Sequence, residues 1–141
     1  MERKILTEVQ AFDKQPLALA MVGDAVYTLF VRTKLIEATN LKVNELNKKV
    51  SAIVNAGAQA KVFFEIKDLL TDREQQVARR ARNTNIHSHA KNYSIEEYIH
   101  ATAFEALLGY LYLSGNLDRI RALFALTLEE NERKTQKGID K

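Results

Sequence analysis

Two long apolar stretches of the chain each contain a single charged side chain. Residues 17–31, LALAMVGDAVYTLFV, hold only Asp24, and residues 99–117, IHATAFEALLGYLYLSGNL, hold only Glu105. An unpaired carboxylate in apolar surroundings is costly unless a hydrogen bond, a salt bridge, a proton or a metal ion satisfies it. Each stretch therefore predicts an apolar helix whose one acid has a specific partner.

Two kinds of partner fit these acids. For one acid alone, the simplest explanation is a helix that turns the carboxylate toward water or toward an arginine. Two parallel cases weigh against that explanation, because two acids that point into one groove supply the oxygen ligands that magnesium prefers, with water completing the octahedral shell. The residues themselves leave both explanations open.

The rest of the chain also favours helices. One proline, five glycines and 46% hydrophobic residues are typical of helices joined by short connections, so the predicted fold class is all-α. Thr71 resembles a helix N-cap, and Ser94 with Glu97 forms a capping-box pattern. We expect Gly23 to lie inside an intact first helix, where it lets another helix approach closely. The predicted helices span residues 17–37, 42–50, 51–67, 72–82, 95–113 and 117–131.

Length and composition bound the domain organisation. A chain of 141 residues predicts one domain, 1–141, with its core at about 15–130 and a charged tail at 132–141. The absence of cysteine excludes disulfides and cysteine-based zinc sites. The N-terminus lacks the apolar segment of a signal peptide, and no apolar run is long enough to span a membrane. We therefore expect a cytoplasmic protein with no membrane partner.

The two acidic stretches resemble a known family. LALAMVGDAVYTLFVR, at residues 17–32 with Gly23 before Asp24, is similar to the signature helix of ribonuclease III catalytic domains. TAFEALLGYLYLSG, at residues 102–115, is similar to the second acidic helix of that family. The resemblance covers roughly residues 15 to 130. The Arg-Arg-x-Arg-Asn segment and the short length are most similar to the subgroup that consists of the catalytic domain only.

This resemblance implies both a fold and a function. It implies a ribonuclease III endonuclease-domain-like helical bundle, in which Asp24 and Glu105 are catalytic and bind Mg²⁺. It implies cleavage of double-stranded RNA to 5′-phosphate and 3′-hydroxyl ends by a homodimer, with magnesium activating a water for attack on phosphorus. The subgroup implies a role in the maturation of ribosomal RNA precursors, particularly the large-subunit 23S RNA.

The chain departs from the larger family at two positions. That family carries two further acids where this sequence has Ala20 and Thr102. Fewer ligands imply a magnesium ion held partly by water and RNA phosphate, hence weaker binding before substrate arrives. The departure also motivates an alternative, a non-catalytic helical protein that binds double-stranded RNA with the same fold. A third possibility is a helical scaffold in which the lone acids are incidental.

The clearest charge asymmetry lies between the two acidic stretches. Residues 75–95 contain no acidic side chain, in a chain whose formal net charge is +3. A solvated loop with a few positive charges is the simplest explanation, but the family resemblance favours RNA contact. Double-stranded RNA is bound mainly through its shape, phosphates and 2′-hydroxyls, which suits cationic and polar side chains. The predicted RNA-binding residues are Arg79, Arg80, Arg82, Asn83, Asn85 and Lys91.

Overall fold

The structure, a computed structural model, describes residues 3–84 and 93–127, and the regular elements in these ranges are all helices. The predicted all-α fold class is confirmed. The helices are α1 (Glu8–Phe12), α2 (Pro16–Ala38), α3 (Val43–Val54), α4 (Ala56–Ile66), α5 (Asp72–Arg82), α6 (Ile95–Leu113) and α7 (residues 117–127). A 3-10 turn at Lys67–Leu69 directly follows α4.

Local capping signals fix where several helices begin. Pro16 occupies the first turn of α2, where its missing N–H costs nothing. Thr71 opens α5 and Ser94 opens α6, which confirms the predicted N-cap at Thr71 and the predicted capping box at Ser94. Thr71 also forms a capping box, with Glu74 three residues later. Thr7 and Gln10 form a third box that opens α1, a five-residue helix that the sequence analysis missed.

The predicted boundary between residues 50 and 51 is wrong. Helix α3 continues to Val54, and the chain turns at Asn55 before α4 begins. The Asn55 side chain accepts a hydrogen bond from the backbone N–H of Ala58 at 2.9 Å and donates one to the carbonyl of Ser51 at 2.9 Å. One amide therefore caps the end of α3 and the start of α4 together.

The centre of the fold is the crossing of α2 and α6. A Cβ atom built on Gly23 would overlap the carbonyl oxygen of Glu105, and one built on Gly109 would overlap the carbonyl oxygen of Leu19. The two backbones therefore touch, which confirms the close approach expected at Gly23. Helix α2 runs unbroken from Pro16 to Ala38, so the intact helix predicted around Gly23 is also confirmed. Tyr27 and Phe104 pack edge to face beside the crossing, with ring centroids 5.0 Å apart.

Helix α6 has the most buried residues of the described helices, and its residues from Ala101 to Leu111 are almost all buried. Helices α4 and α5 pack against it, and α3 packs against α2. Among the described helices, none is long and apolar enough to span a membrane. The charged tail predicted at 132–141 and the end of the last predicted helix, 128–131, lie outside the described residues.

We expect Gly109→Ala to lower the free energy of unfolding by about 1–3 kcal/mol, because the added methyl group forces α6 away from α2. Urea unfolding followed by circular dichroism measures this change. Gly57→Ala is the matched control, since a methyl group there meets the ends of the Glu97 and Tyr93 side chains, which can move aside. Equal stability of the two variants would contradict the role given to the crossing.

Candidate active site

The α2–α6 crossing brings the two lone acids together. Asp24 follows Gly23 on α2, and Gly23 lies directly against the backbone of Glu105 on α6. Both carboxylates line one cleft with a volume of about 220 Å³. The other residues that line it are Val54, Ala56, Gln59, Tyr98, Ala101 and Thr102. Two acids 81 positions apart in the chain thus share one site.

The partner of each acid is the other acid. Asp24 is exposed and Glu105 is partly buried. Burial raises the pKa of Glu105 to about 8, with a hydrogen bond to Asp24 and repulsion from its charge adding to the effect. Neither acid belongs to an ion pair in residues 3–84 and 93–127, where the ion pairs are Arg119–Glu74 and Arg121–Asp118. Glu105 therefore keeps a proton near neutral pH. Asp24 faces solvent, as the simplest explanation for one acid expects, and neither acid pairs with an arginine within the described residues.

The two positions that lack the family's further acids lie in different surroundings. Ala20 is buried in the core. Thr102 lines the cleft, and its hydroxyl donates a hydrogen bond to the carbonyl oxygen of Tyr98 at 2.8 Å. No group of three or more acidic, histidine or cysteine side chains that could hold a metal occurs in the described ranges. A cation in this cleft would therefore have two carboxylate ligands from the chain.

Sequence reasoning missed one polar residue of the cleft. Gln59, on α4, is 2% exposed, and its side-chain Nε2 has no hydrogen-bond partner among residues 3–84 and 93–127. A buried donor left without a partner costs about 1–3 kcal/mol. The only sequence signal is a glutamine among alanines and apolar residues in AGAQAKVFF, which does not reveal that the amide is buried.

The predicted RNA-binding residues separate into two groups. Arg79 and Arg82 line a smaller cleft of about 150 Å³ together with Lys67 and one acid, Asp68; this is the basic cleft. Asn83 is the exposed residue that ends α5. Arg80 instead donates a hydrogen bond to the carbonyl of Phe12, with its guanidinium 4.7 Å from the centre of that residue's ring. Asn85 and Lys91 lie outside the described residues.

One face of α4 connects the acidic cleft to this basic cleft. Gln59 lines the first and Phe63 lines the second. Residues four apart lie one above the other on a helix, about 6 Å along its axis. The two clefts therefore share α4 as a wall, at positions one helical turn apart.

The domain is all-helical, and its two central helices bring a pair of carboxylates into one cleft. This combination is typical of the ribonuclease III domain. The model of that domain family matches residues 17–116, more than half of the chain. The matched segment begins in the first turn of α2 and ends just after α6, so it contains both acids.

Individual relatives agree with this match. The Mini-ribonuclease 3 of Thermoanaerobacter is 40% identical over 126 residues, which cover 89% of each chain. That of Brevibacillus brevis is 49% identical over 105 residues, covering 74% of this chain and 78% of its own. A crystal structure from Fusobacterium nucleatum superimposes with a TM-score of 0.79 at 27% identity, covering 89% of this chain and 99% of that one. The chain therefore belongs to the ribonuclease III family of endoribonucleases, in the group of its Mini-ribonuclease 3 relatives.

Without divalent cations, we expect the free energy of unfolding to fall as the pH rises from about 4.5 to about 8. Over this interval folded Glu105 keeps a proton that the unfolded chain loses, so the stabilisation is complete below 4.5 and lost by about 8. Chemical unfolding at several pH values in chelator, compared with Glu105→Gln, measures the effect. Asp24→Asn should show a smaller fall, because Asp24 contributes to the raised pKa. A difference between native protein and Glu105→Gln that does not change with pH would contradict this assignment.

Proposed function

We propose that this protein is a magnesium-dependent endoribonuclease that cuts double-stranded RNA, leaving 5′-phosphate and 3′-hydroxyl ends. The observation that carries the proposal is the convergence of Asp24 and Glu105 in one cleft at the α2–α6 crossing. Membership in the ribonuclease III family supports the same reaction.

The chemistry of the cleft fits magnesium. Asp24 and Glu105 supply carboxylate oxygens, the ligands that this ion prefers, and the open side of the cleft leaves room for water and phosphate oxygens. Asp24 and Glu105 would hold the ion, which would provide Lewis-acid activation of a water for attack on phosphorus and stabilise charge on the phosphate oxygens.

The carboxyl group of Glu105 must lose its proton before it can bind a cation. Its pKa of about 8 without a cation means that cation binding and proton release are coupled. Asp24 is exposed and lies at the open side, where the RNA backbone would arrive. Activity should therefore need higher cation concentrations at lower pH.

We propose that RNA binds across the acidic cleft and the basic cleft, with Arg79, Arg82 and Asn83 contacting phosphates and riboses. Asn85 and Lys91 remain proposed contacts on the basis of the sequence. Arg80 is a weaker candidate than its neighbours, because its guanidinium is already engaged by Phe12.

We also propose a homodimer with one site in each subunit. Leu17, Met21, Leu29 and Ile36 are exposed apolar residues of α2, and Met21 is 72% exposed. Their spacings of four, eight and seven residues place them on one side of the helix, which supports an apolar contact between copies of the chain.

The cellular role proposed here is maturation of ribosomal RNA precursors, particularly the 23S RNA, by a cytoplasmic single-domain enzyme spanning residues 1–141. This part of the proposal is supported by the resemblance to the catalytic-domain-only subgroup and by the Mini-ribonuclease 3 relatives.

The alternative is a protein that binds double-stranded RNA without cutting it. The observation that favours it is the absence of carboxylates at Ala20 and Thr102, which leaves two acids in the described cleft. The two functions differ in one measurable property, since only the enzyme shortens its RNA.

We expect Asp24→Asn and Glu105→Gln each to lower the rate of duplex cleavage about 1,000-fold, since the cation contributes several kcal/mol of charge stabilisation. The assay incubates purified protein with a long RNA duplex in magnesium or in chelator and follows the product length on a gel. Glu96→Gln, at an exposed position of α6 outside the cleft, is the control. Duplex that is bound but uncut by the native protein in magnesium would support the alternative.

Replacing Arg79 and Arg82 together by glutamine should weaken RNA binding and reduce the salt slope of the binding constant by about 2, one for each lost phosphate contact. Binding is measured by fluorescence anisotropy with duplex RNA at several salt concentrations. Arg121→Gln is the control, because Arg121 lies on α7 and is already paired with Asp118. An unchanged salt slope in the double variant would show that RNA does not contact this cleft.

A further inference from the structure

The most informative feature not used by the proposed function is the unpartnered amide of Gln59. The side chain is 2% exposed and lines the cleft of Asp24 and Glu105, and no acceptor for its Nε2 hydrogens lies in the part of the chain that the structure describes. An apolar side chain of similar length would fill the same space without burying an unsatisfied donor. The cleft that Gln59 lines contains two carboxylates, and a carboxylate oxygen can accept the hydrogen bond that this amide lacks.

The packing of α4 indicates which acid this amide serves. Helix α4 packs chiefly against α6, the helix of Glu105. The rings of Phe63 and Phe64 on α4 lie 5.7 and 4.4 Å from the ring of His100 on α6. These contacts hold α4 against α6 one helical turn beyond Gln59. Glu105 is also the more buried of the two acids, whereas Asp24 faces solvent.

We propose that Gln59 is a positioning residue of the acidic cleft, whose side-chain amide donates a hydrogen bond to the carboxylate of Glu105 when a divalent cation occupies the site. The hydrogen bond fixes the direction of the carboxylate oxygens that face the cation. Outer-shell partners of this kind change metal affinity by about 10- to 100-fold when removed. The inference rests on the proposed function, because it requires a cation in the cleft.

The test replaces the amide by an apolar side chain of the same length. Thermal unfolding of native protein, Gln59→Met and the control Gln76→Met is measured during a titration with Mn²⁺, which binds oxygen ligands and needs no RNA. Gln76 is on α5, is exposed and does not line the cleft. The same proteins are then compared for the magnesium dependence of duplex cleavage.

We expect Gln59→Met without cation to unfold at the same temperature as the native protein or higher, while half-maximal stabilisation requires about 10-fold more Mn²⁺. Cleavage should show a matching shift in magnesium dependence, and Gln76→Met should follow the native protein in both. A merely structural glutamine would instead lower the cation-free unfolding temperature when replaced and leave the cation midpoint unchanged. If Gln59→Met does not fold, Gln59→Leu makes the same comparison.

The two assays separate this inference from the proposed function. If the native protein cuts RNA and the cation midpoint of Gln59→Met is unchanged, the inference fails and the enzyme stands. If Mn²⁺ stabilises the native protein and the variant needs more of it, but no RNA is cut, the positioning role stands and the proposed reaction fails. If Mn²⁺ does not stabilise the native protein and RNA remains intact, both are overturned.

Discussion

The contact between the backbones of α2 and α6 is the constraint on which the rest of the structure depends. Gly23 lies against the carbonyl of Glu105, and Gly109 lies against the carbonyl of Leu19. Because both contacts involve main-chain atoms, no side chain can be inserted without separating the helices. The core on either side of the crossing, including the Tyr27–Phe104 pair, is built around this fixed distance.

The same contact explains why the pKa of Glu105 is raised. It buries the Glu105 carboxyl group and places it beside the carboxylate of Asp24, and both effects favour the form that keeps its proton. A divalent cation at the proposed site would remove the reason for that proton, since its charge would compensate both carboxylates at once. In the proposed function, a proton and a cation are therefore alternative ways to stabilise the same pair of carboxylates.

Much of this arrangement could be predicted from local sequence, but some residues could not. A lone acid within an apolar helix is visible in the sequence, and so are the capping boxes at Thr71 and Ser94, because both depend on residues a few positions apart. The turn at Asn55 was missed, since the alanines around it suit a continuous helix and its two capping hydrogen bonds appear only once the chain has turned. Arg80 and Gln59 depend on packing between distant elements: the contact of Arg80 needs α1 in place, and the burial of Gln59 needs α4 on α6.

The glycine contacts make the spacing of the two carboxylates independent of the side chains that form the basic cleft. The spacing of the carboxylates follows from main-chain atoms of α2 and α6, whereas the basic cleft is made of side chains on α4 and α5 and in the turn between them. Substitutions in the basic cleft can therefore change its shape and charge while the spacing of the two carboxylates stays the same. In a family of endoribonucleases, this division allows the side chains around the carboxylates to diverge between relatives without altering the geometry of the acidic pair.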